Sequence, residues 1–214
     1  MTPMYPTRRA LVAALALLPA GCSGILGGGG PPPSLYALTA LDRFPRDWPK
    51  VRLQLLVDRP SASAALDTKR IALRRNELSF NYFANADWAD SVPSMVQALL
   101  VDSLQRSGHA TAVSRDTMAI RGDVELRIDM RHFEADYATG HTRPVVRIEF
   151  GLMLVRVSDR STIATRTVVA TRAPRANTVP AVVAAFNRAL HEAMVETIGW
   201  TLKRAAAAHV PRGS

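Results

Sequence analysis

Residues 124–130 read Val-Glu-Leu-Arg-Ile-Asp-Met, an unbroken alternation of apolar and charged side chains. Successive side chains of a β-strand point to opposite faces of the sheet, so this period of two predicts a strand with one buried face. The alternation returns in residues 146–154, and residues 163–171 are rich in β-branched side chains, which favour strands. Residues 158–161, Ser-Asp-Arg-Ser, form a turn between the last two segments. Together they predict an antiparallel meander with one solvated face.

Upstream of this meander, four shorter segments also have strand character. Residues 51–57 alternate in the same way, and residues 35–41 form a short apolar run that suits an edge strand. Residues 71–74 and 78–83 predict two further short strands around a turn at Asn76.

A first helix is predicted between the short strands and the meander. Ser91 can cap it, and Pro93 falls in its first turn, where a missing N–H is tolerated. Gly108 is a natural stop. An apolar stripe at helical spacing predicts the buried face, which includes Val96, Leu99 and Leu100.

A second helix is predicted after the meander. Thr178 caps it, Pro180 lies in its first turn, and it runs to about Lys203. Its apolar stripe includes Val183, Phe186 and Leu190. The order of elements predicts an α+β fold, a mostly antiparallel β-sheet with two amphipathic helices packed on one face.

The first residues of the chain predict export. Arg8 and Arg9 precede an apolar run over residues 10–18, and small residues lead to Cys22, the only cysteine. A basic start, a short apolar run and small residues near the cleavage zone define a secretory signal. The segment resembles a lipobox, which implies cleavage before Cys22 and its modification with diacylglycerol and an amide-linked acyl chain such as palmitate. Ser23, rather than Asp, implies by the same resemblance the periplasmic face of the outer membrane.

These signals divide the chain into four parts. Residues 1–21 are the predicted signal peptide, and residues 22–34 are the lipidated Cys with a Gly/Pro linker. Residues 35–204 are predicted to form a single α+β domain. Residues 205–214 are a tail whose end, Val-Pro-Arg-Gly-Ser, resembles most of a thrombin site introduced by cloning.

Composition and charge narrow the function classes. The apolar fraction of 48 % is ample for a core, and the formal charge of +9 falls to about +7 when Arg8 and Arg9 leave with the signal. The basic residues are scattered rather than clustered with aromatics, which disfavours nucleic acid as a partner. A solvated basic surface is the simplest interpretation.

Catalytic and metal-binding patterns are not evident in the sequence. The five histidines lack the spacing of a helical metal pair, and with one cysteine a structural zinc site is not expected. His132 has the parity of the apolar face of its strand, which predicts a hydrogen-bonded core histidine. There is no Gly-x-Ser-x-Gly elbow, and pairs such as Glu125/Arg127 suit cross-strand charge partners. We expect no enzyme, cofactor or metal.

Residues 66–100 carry the most specific resemblance. An Asp67-Thr68-x-Arg70-Ile71 strand is followed by Tyr82-Phe83, by Trp88-Ala89-Asp90 and by the Pro93 helix start. This order and spacing resembles the ABC-type transport auxiliary lipoprotein family, which includes the paraquat-inducible protein C lipoproteins. The resemblance covers about residues 36–202.

The resemblance implies a role rather than a reaction. Members of the family accompany MCE-domain proteins that bridge the inner and outer membranes, with an ABC permease and ATPase at the inner-membrane end. The implied cargo is phospholipid or another hydrophobic molecule. The implied partners are the MCE-domain protein, the ABC system, outer-membrane lipid and a second copy of the chain.

A lipoprotein without catalytic groups must act through surfaces. We therefore predict a partner contact at Arg70, Arg74, Tyr82 and Phe83, because an exposed aromatic beside arginines is typical of interface hot spots. Trp88 is expected to be buried beneath the first helix, since large aromatics are mostly buried.

Two other interpretations stay open from the sequence. A lipoprotein regulator of a periplasmic cell-envelope enzyme would suit the same tether and fold. A lipid-anchored hydrolase would require an exposed nucleophile–base pair.

Overall fold

The computed structural model describes residues 32–76, 78–115, 122–137 and 142–209, and all its elements belong to the unit that begins at Pro33. The predicted signal peptide, Cys22, most of the linker and residues 210–214 lie outside the described residues. The elements in chain order are β1 (Ser34–Tyr36), β2 (Val51–Val57), β3 (Ser61–Ala62), β4 (Arg70–Asn76), β5 (Ser79–Trp88), α1 (Val92–Ser107), β6 (Ala110–Arg115), β7 (Val124–Asp136), β8 (Val145–Arg156), β9 (Thr162–Arg172) and α2 (Val179–His209).

The predicted meander is confirmed. β7 and β8 pair antiparallel from Val124↔Arg156 to Asp136↔Val145, and β8 and β9 pair antiparallel along nearly their whole length. Ile148, Phe150 and Leu152 are buried, whereas the residues between them are not. We name the side of the sheet that carries Arg147, Glu149 and Met153 of β8 the outer face.

The edge of β7 opposite β8 pairs with three other strands, all of them parallel to β7. β2 pairs with its beginning, β3 with its middle and β4 with its end. β6 extends the sheet beyond β2, and β5 and β1 extend it beyond β4. The fold is therefore α+β, with two helices and a large, open, mixed sheet that is mostly antiparallel. The sequence did not predict β3 and β6, which supply part of the parallel pairing.

The shorter predicted strands are present with different lengths. β1 covers only two residues of the predicted edge segment, Leu35 and Tyr36, whereas β4 and β5 are longer than the predicted segments 71–74 and 78–83. β4 and β5 pair antiparallel, as the turn at Asn76 predicts.

Both helices begin where the sequence predicts. α1 follows Ser91, although that side chain makes no capping hydrogen bond, and it ends at Gly108, whose φ of 63° is left-handed. Glycine adopts this conformation without steric cost, which explains the stop. α2 has 31 residues and runs past the predicted end near Lys203, to His209.

The centre of the core is aromatic. Phe186 of α2 stacks on Phe133 of β7 with ring centroids 5.2 Å apart, and Trp88 meets the Phe186 ring edge-on at 5.3 Å. All three side chains are fully buried. The burial of Trp88 is thus confirmed, and the rings that it contacts belong to α2 and β7 rather than to α1.

The expected position of His132 is wrong. β7 contains a one-residue bulge between Met130, which faces Phe150, and His132, which faces Glu149. A bulge reverses which residues point inward, so Phe133 and Ala135 are buried while His132 lies on the outer face. There its Nδ1 lies 2.6 Å from Glu134 Oε1, so the histidine is hydrogen-bonded as expected but not in the core.

Candidate partner surface

The β4–β5 hairpin departs from regular pairing at one place. Arg70 faces Asp87, yet Ala72 faces Tyr82, so β5 contains several extra residues between these two pairs. Asn85 in this segment has a φ of 53°, a left-handed conformation that asparagine adopts more readily than most residues. The extra residues let the strand reach Trp88 in the core while Tyr82 stays near the surface.

A cation–aromatic cluster lies on this hairpin. The Arg70 guanidinium carbon is 4.0 Å from the centre of the Tyr82 ring, and the Phe80 ring meets Tyr82 at a centroid distance of 6.1 Å. Tyr82 Oη donates a hydrogen bond to the Ala65 carbonyl at 3.1 Å, which holds the ring in place. Phe80 is 38 % exposed. We name Arg70, Phe80 and Tyr82 the hairpin cluster.

The structure brings together only part of the predicted contact. Arg70 and Tyr82 meet directly. Tyr82 and Phe83 are both partly buried against the hydrophobic core. Arg74 turns toward the buried Glu134 carboxylate, with 4.0 Å between Nη1 and Oε1. Phe80 was missed by the sequence analysis, although its spacing of two from Tyr82 places both rings on one side of a strand.

The motif residues that carried the resemblance make contacts that connect neighbouring elements of the fold. Both terminal nitrogens of Arg59 donate to Asp67, at 3.2 and 2.6 Å, and Arg59 Nε donates to Ser94 of α1. The Asp67 hydrogen bond raises the pKa of Arg59. The backbone N–H of Trp88 donates to the Lys69 carbonyl at 2.6 Å. These contacts tie β5 and the start of α1 to the loop before β4.

Acidic and basic side chains alternate on the outer face. Arg147 donates to Glu149 at 2.7 Å, and Arg131 lies 3.1 Å from Asp129 and 3.7 Å from Glu149. The Arg147 hydrogen bond, reinforced by nearby positive charges, holds the pKa of the Glu149 carboxyl below its ordinary value. The backbone N–H of Phe133 and the His132 ring both contact the buried Glu134.

A shallow groove of about 580 Å³ crosses the outer face. Gly151 makes room in it, because a Cβ there would come within 2.7 Å of Arg131 Nη2. Arg131 therefore lies flat across β8 and reaches Thr167 of β9 with Nη1 at 3.4 Å. The groove is lined by arginines that already contact carboxylates, namely Arg59, Arg127 and Arg131.

One hydroxyl–histidine contact occurs away from this face. Thr39 Oγ1 lies 2.9 Å from His191 Nε2, but the same nitrogen is 2.9 Å from the Thr39 carbonyl oxygen. The Thr39 hydroxyl also donates to Asn187 Oδ1, and the Thr39 backbone N–H donates to the same oxygen. This arrangement fastens the segment after β1 to α2. Among the described residues, no group of three or more His, Cys, Asp or Glu side chains could hold a metal ion.

The comparisons with known proteins agree with this fold and with the sequence resemblance. The family model for the ABC-type transport auxiliary lipoprotein component matches residues 36–198. The chain therefore belongs to the ABC-type transport auxiliary lipoprotein family. In the described ranges no helix is both long and apolar enough to cross a membrane.

Individual relatives extend the similarity. A Xanthomonas campestris protein of known crystal structure is 34 % identical, with a TM-score of 0.77, covering 82 % of this chain and 98 % of that one. An uncharacterized protein of Bradyrhizobium diazoefficiens is 32 % identical over 86 % of this chain, which spans about half (49 %) of that curated relative's length. A hypothetical Chlamydia trachomatis protein shares the fold at 5 % identity and a TM-score of 0.51, covering 73 % of this chain and 99 % of that one.

Proposed function

We propose that this chain is a non-catalytic accessory subunit of an MCE-type transport system that moves phospholipid or another hydrophobic molecule across the periplasm. The observation that carries the proposal is the family match over residues 36–198. In this proposal, an ABC permease and ATPase drive the inner-membrane end, and the chain acts at the outer-membrane end by binding the MCE-domain protein.

Lipid on Cys22 is the proposed anchor. A single acyl chain holds a protein only marginally, whereas three chains bury enough methylene groups for stable attachment, at ~0.8 kcal/mol each. A Gly/Pro linker of residues 23–34 would let the folded part move near the membrane.

Replacing the anchor residue tests the location. We expect Cys22→Ala to leave an uncut precursor or a domain detached from outer membranes, because the only thiol would be gone. Globomycin, which blocks the lipoprotein signal peptidase, should make the wild-type precursor accumulate. A mature-sized Cys22→Ala protein that still fractionates with outer membranes would refute the anchor.

We further propose that both helices pack on one face of the sheet and leave the outer face for partners. Burial of Val96, Leu100, Phe186 and Leu190 supports this arrangement. The hairpin cluster is the proposed contact with the MCE protein. Arg70 and the Tyr82 ring form a rigid, partly exposed pair, and aromatic and arginine side chains dominate binding energy at interfaces.

Copurification tests the partner and the surface together. Envelopes solubilised in mild detergent after gentle crosslinking should yield the MCE-domain protein with the wild-type chain. Arg70→Glu and Tyr82→Ala should reduce that yield. Arg188→Glu changes an exposed arginine of α2 in the same way and should not.

The outcomes separate two claims. If the wild-type chain brings down no MCE-domain or ABC subunit, the transport role is wrong. If it does, and the folded Arg70 and Tyr82 variants capture as much partner as Arg188→Glu, the contact lies outside the hairpin cluster.

A further inference from the structure

The turn between β4 and β5 exposes an apolar side chain. Leu78 is 100 % exposed, whereas the leucines of the core are buried. Its backbone N–H donates to Asn76 Oδ1 at 3.0 Å, and Arg75 beside it in the turn is exposed as well. Glu77 lies outside the described residues. We name Arg75 and Leu78 the hairpin tip. A single exposed leucine is ordinary on a protein surface, so its surroundings decide what it means.

The hairpin tip shares one end of the sheet with two other loops. Arg74 pairs with Asp136 at the end of β7, and the backbone N–H of Tyr137 donates to the Arg74 carbonyl at 2.7 Å. Tyr137 Oη donates to Asn177 Oδ1 at 2.8 Å, and Asn177 Nδ2 donates to the Thr142 carbonyl at 3.0 Å. The loop after β7 and the loop before α2 are therefore fastened together beside the end of β4.

This end of the sheet carries exposed arginines. Arg143 and Arg175 are exposed, and Arg143 Nη1 donates to the Arg175 carbonyl at 3.2 Å. With Arg75, three arginines from three loops accompany Leu78 at the same end. Guanidinium groups bind phosphates through paired hydrogen bonds, and basic residues are attracted to anionic membrane surfaces.

The chain enters the sheet from this end. β1 runs parallel to β5 with Ser34 beside Ala86, so the first residue of β1 is its nearest to the hairpin tip. From Ala86 to Ser79, the residue that follows the tip, is seven positions, or at most about 23 Å at ~3.3 Å per residue. The eleven residues 23–33 can span up to about 40 Å. A lipid on Cys22 can therefore lie level with the hairpin tip or beyond it.

We propose that the hairpin tip contacts the lipid layer in which the Cys22 anchor is embedded. Leu78 enters the boundary between headgroups and acyl chains, and Arg75, Arg143 and Arg175 lie at the lipid phosphates. This boundary suits the set, because an apolar side chain gains from burial among acyl chains while guanidinium groups stay with the phosphates. The inference rests on the proposed lipid anchor and does not depend on the MCE partner.

A second point of contact would orient the folded part. A flexible tether alone leaves it free to rotate, whereas the hairpin tip fixes which end of the sheet faces the lipid. The strands then run toward the membrane, and the beginning of β7 faces the periplasm. The hairpin cluster lies directly behind the membrane contact, since Phe80 is two residues from Leu78.

A fluorescent label on the hairpin tip tests the contact. The full chain, purified with its lipid, is placed in vesicles of phosphatidylethanolamine and phosphatidylglycerol after Leu78→Cys has been labelled with an environment-sensitive thiol dye. We expect the emission to shift to shorter wavelength and to be quenched by lipids that carry a nitroxide on the acyl chain.

Met153→Cys is the matched control for the label. Met153 is also an exposed apolar residue, but it pairs with Arg127. Arg127 lies nine positions along β7 from Asp136, about 30 Å from the end of the sheet that carries the hairpin tip. Its label should keep the emission of a dye in water, without quenching by the nitroxide lipids.

Charge variants test the arginines. In the labelled Leu78→Cys chain, Arg75→Glu and Arg175→Glu should each reduce the quenching with an unchanged melting temperature. Arg204→Glu changes an exposed arginine that lies 25 positions along α2 from Val179, and it should leave the quenching unchanged. Equal quenching in all three variants would overturn the contact between these arginines and the phosphates.

The outcomes separate this inference from the proposed anchor. A wild-type chain that takes up the dye has a free Cys22 thiol, which would refute the lipid anchor and the inference that rests on it. If wild type takes up no dye and the label at Leu78 is not quenched, the anchor stands and the membrane contact is wrong. A shifted but unquenched emission would mean that protein covers Leu78, which also overturns the membrane contact.

Discussion

The β7–β8 ladder and the β4–β5 hairpin are both antiparallel strand pairs with irregular register, but the irregularity is much smaller in the ladder. In the ladder, a single extra residue at Arg131 shifts the register once, and twelve partner pairs connect the strands. In the hairpin, two register shifts leave five pairs, and aromatic side chains remain partly exposed. The ladder supports the aromatic core, whereas the hairpin presents the cluster of Arg70, Phe80 and Tyr82. Regular pairing thus belongs to the part that stabilises the fold, and irregular pairing to the part that we propose binds a partner.

The largest effect is expected where α2 meets the ladder. Phe186→Ala would remove a fully buried ring that contacts both Phe133 and Trp88, and such truncations cost about 3–5 kcal/mol. Urea unfolding measures the change. Met153→Ala, at a side chain on the outer face of β8, is the control and should shift the midpoint little. An unmoved midpoint for Phe186→Ala would mean that this core assignment is wrong.

A smaller effect is expected beneath the outer face, at Glu134. Glu134→Ala would leave the Phe133 backbone N–H without its acceptor, and an unsatisfied buried donor costs roughly 1–3 kcal/mol. Glu134→Gln keeps an oxygen at that place and should cost less. Equal loss in both variants, measured by urea unfolding, would assign the effect to the charge near His132 and Arg74 instead.

The outer face of the ladder should also show a pH dependence. The pKa of Glu149 is lowered from its ordinary value of 4.5, chiefly by Arg147, so the folded state favours the charged form. Its contribution is therefore complete above pH 4.5 and disappears as the pH falls through the lowered pKa. Glu149→Gln should be less stable than wild type at pH 7, and the difference should close in acid. A constant difference from pH 7 to pH 3 would contradict this assignment.

The smallest effect on stability is expected in the hairpin. Arg70→Ala would remove an exposed cation–aromatic contact of about 0.5–1 kcal/mol. Arg70→Lys should keep part of it. A loss of stability in thermal unfolding that exceeds the loss for Glu134→Ala would show that Arg70 stabilises the fold. The contrast between the ladder and the hairpin would then be wrong.

The sequence predicted the regular part of the molecule better than the irregular part. Alternation, strict over residues 124–130 and looser over residues 146–154, identified the ladder, because one face of each strand is buried. The bulge also has a signal in the sequence: Arg131 and His132 are two successive polar residues between Met130 and Phe133, and they interrupt the alternation. β6 was missed because residues 110–115 contain only one large apolar side chain, Val113, and its pairing with β2 depends on contacts distant in sequence.

The candidate surface was predictable only in part. The aromatic and basic composition pointed to the hairpin, but the register shift between Arg70 and Ala72 decides which rings stay outside. Nothing local to Tyr82 shows that its ring lies beneath the Arg70 guanidinium and beside Phe80. The meeting of three loops at the hairpin end of the sheet follows from topology, which alternation alone does not reveal.

The position of β7 between two groups of strands has a kinetic consequence. The hairpin β4–β5 and the meander β7–β9 consist of neighbours in sequence, so each can form early. β2 and β4, in contrast, pair with β7 residues that are 69 and 62 positions away in the sequence, and contacts across such distances slow folding. During synthesis, which starts at the N-terminus, β2 and β4 therefore lack their β7 partner until β7 has been made. A chaperone would matter most during this interval.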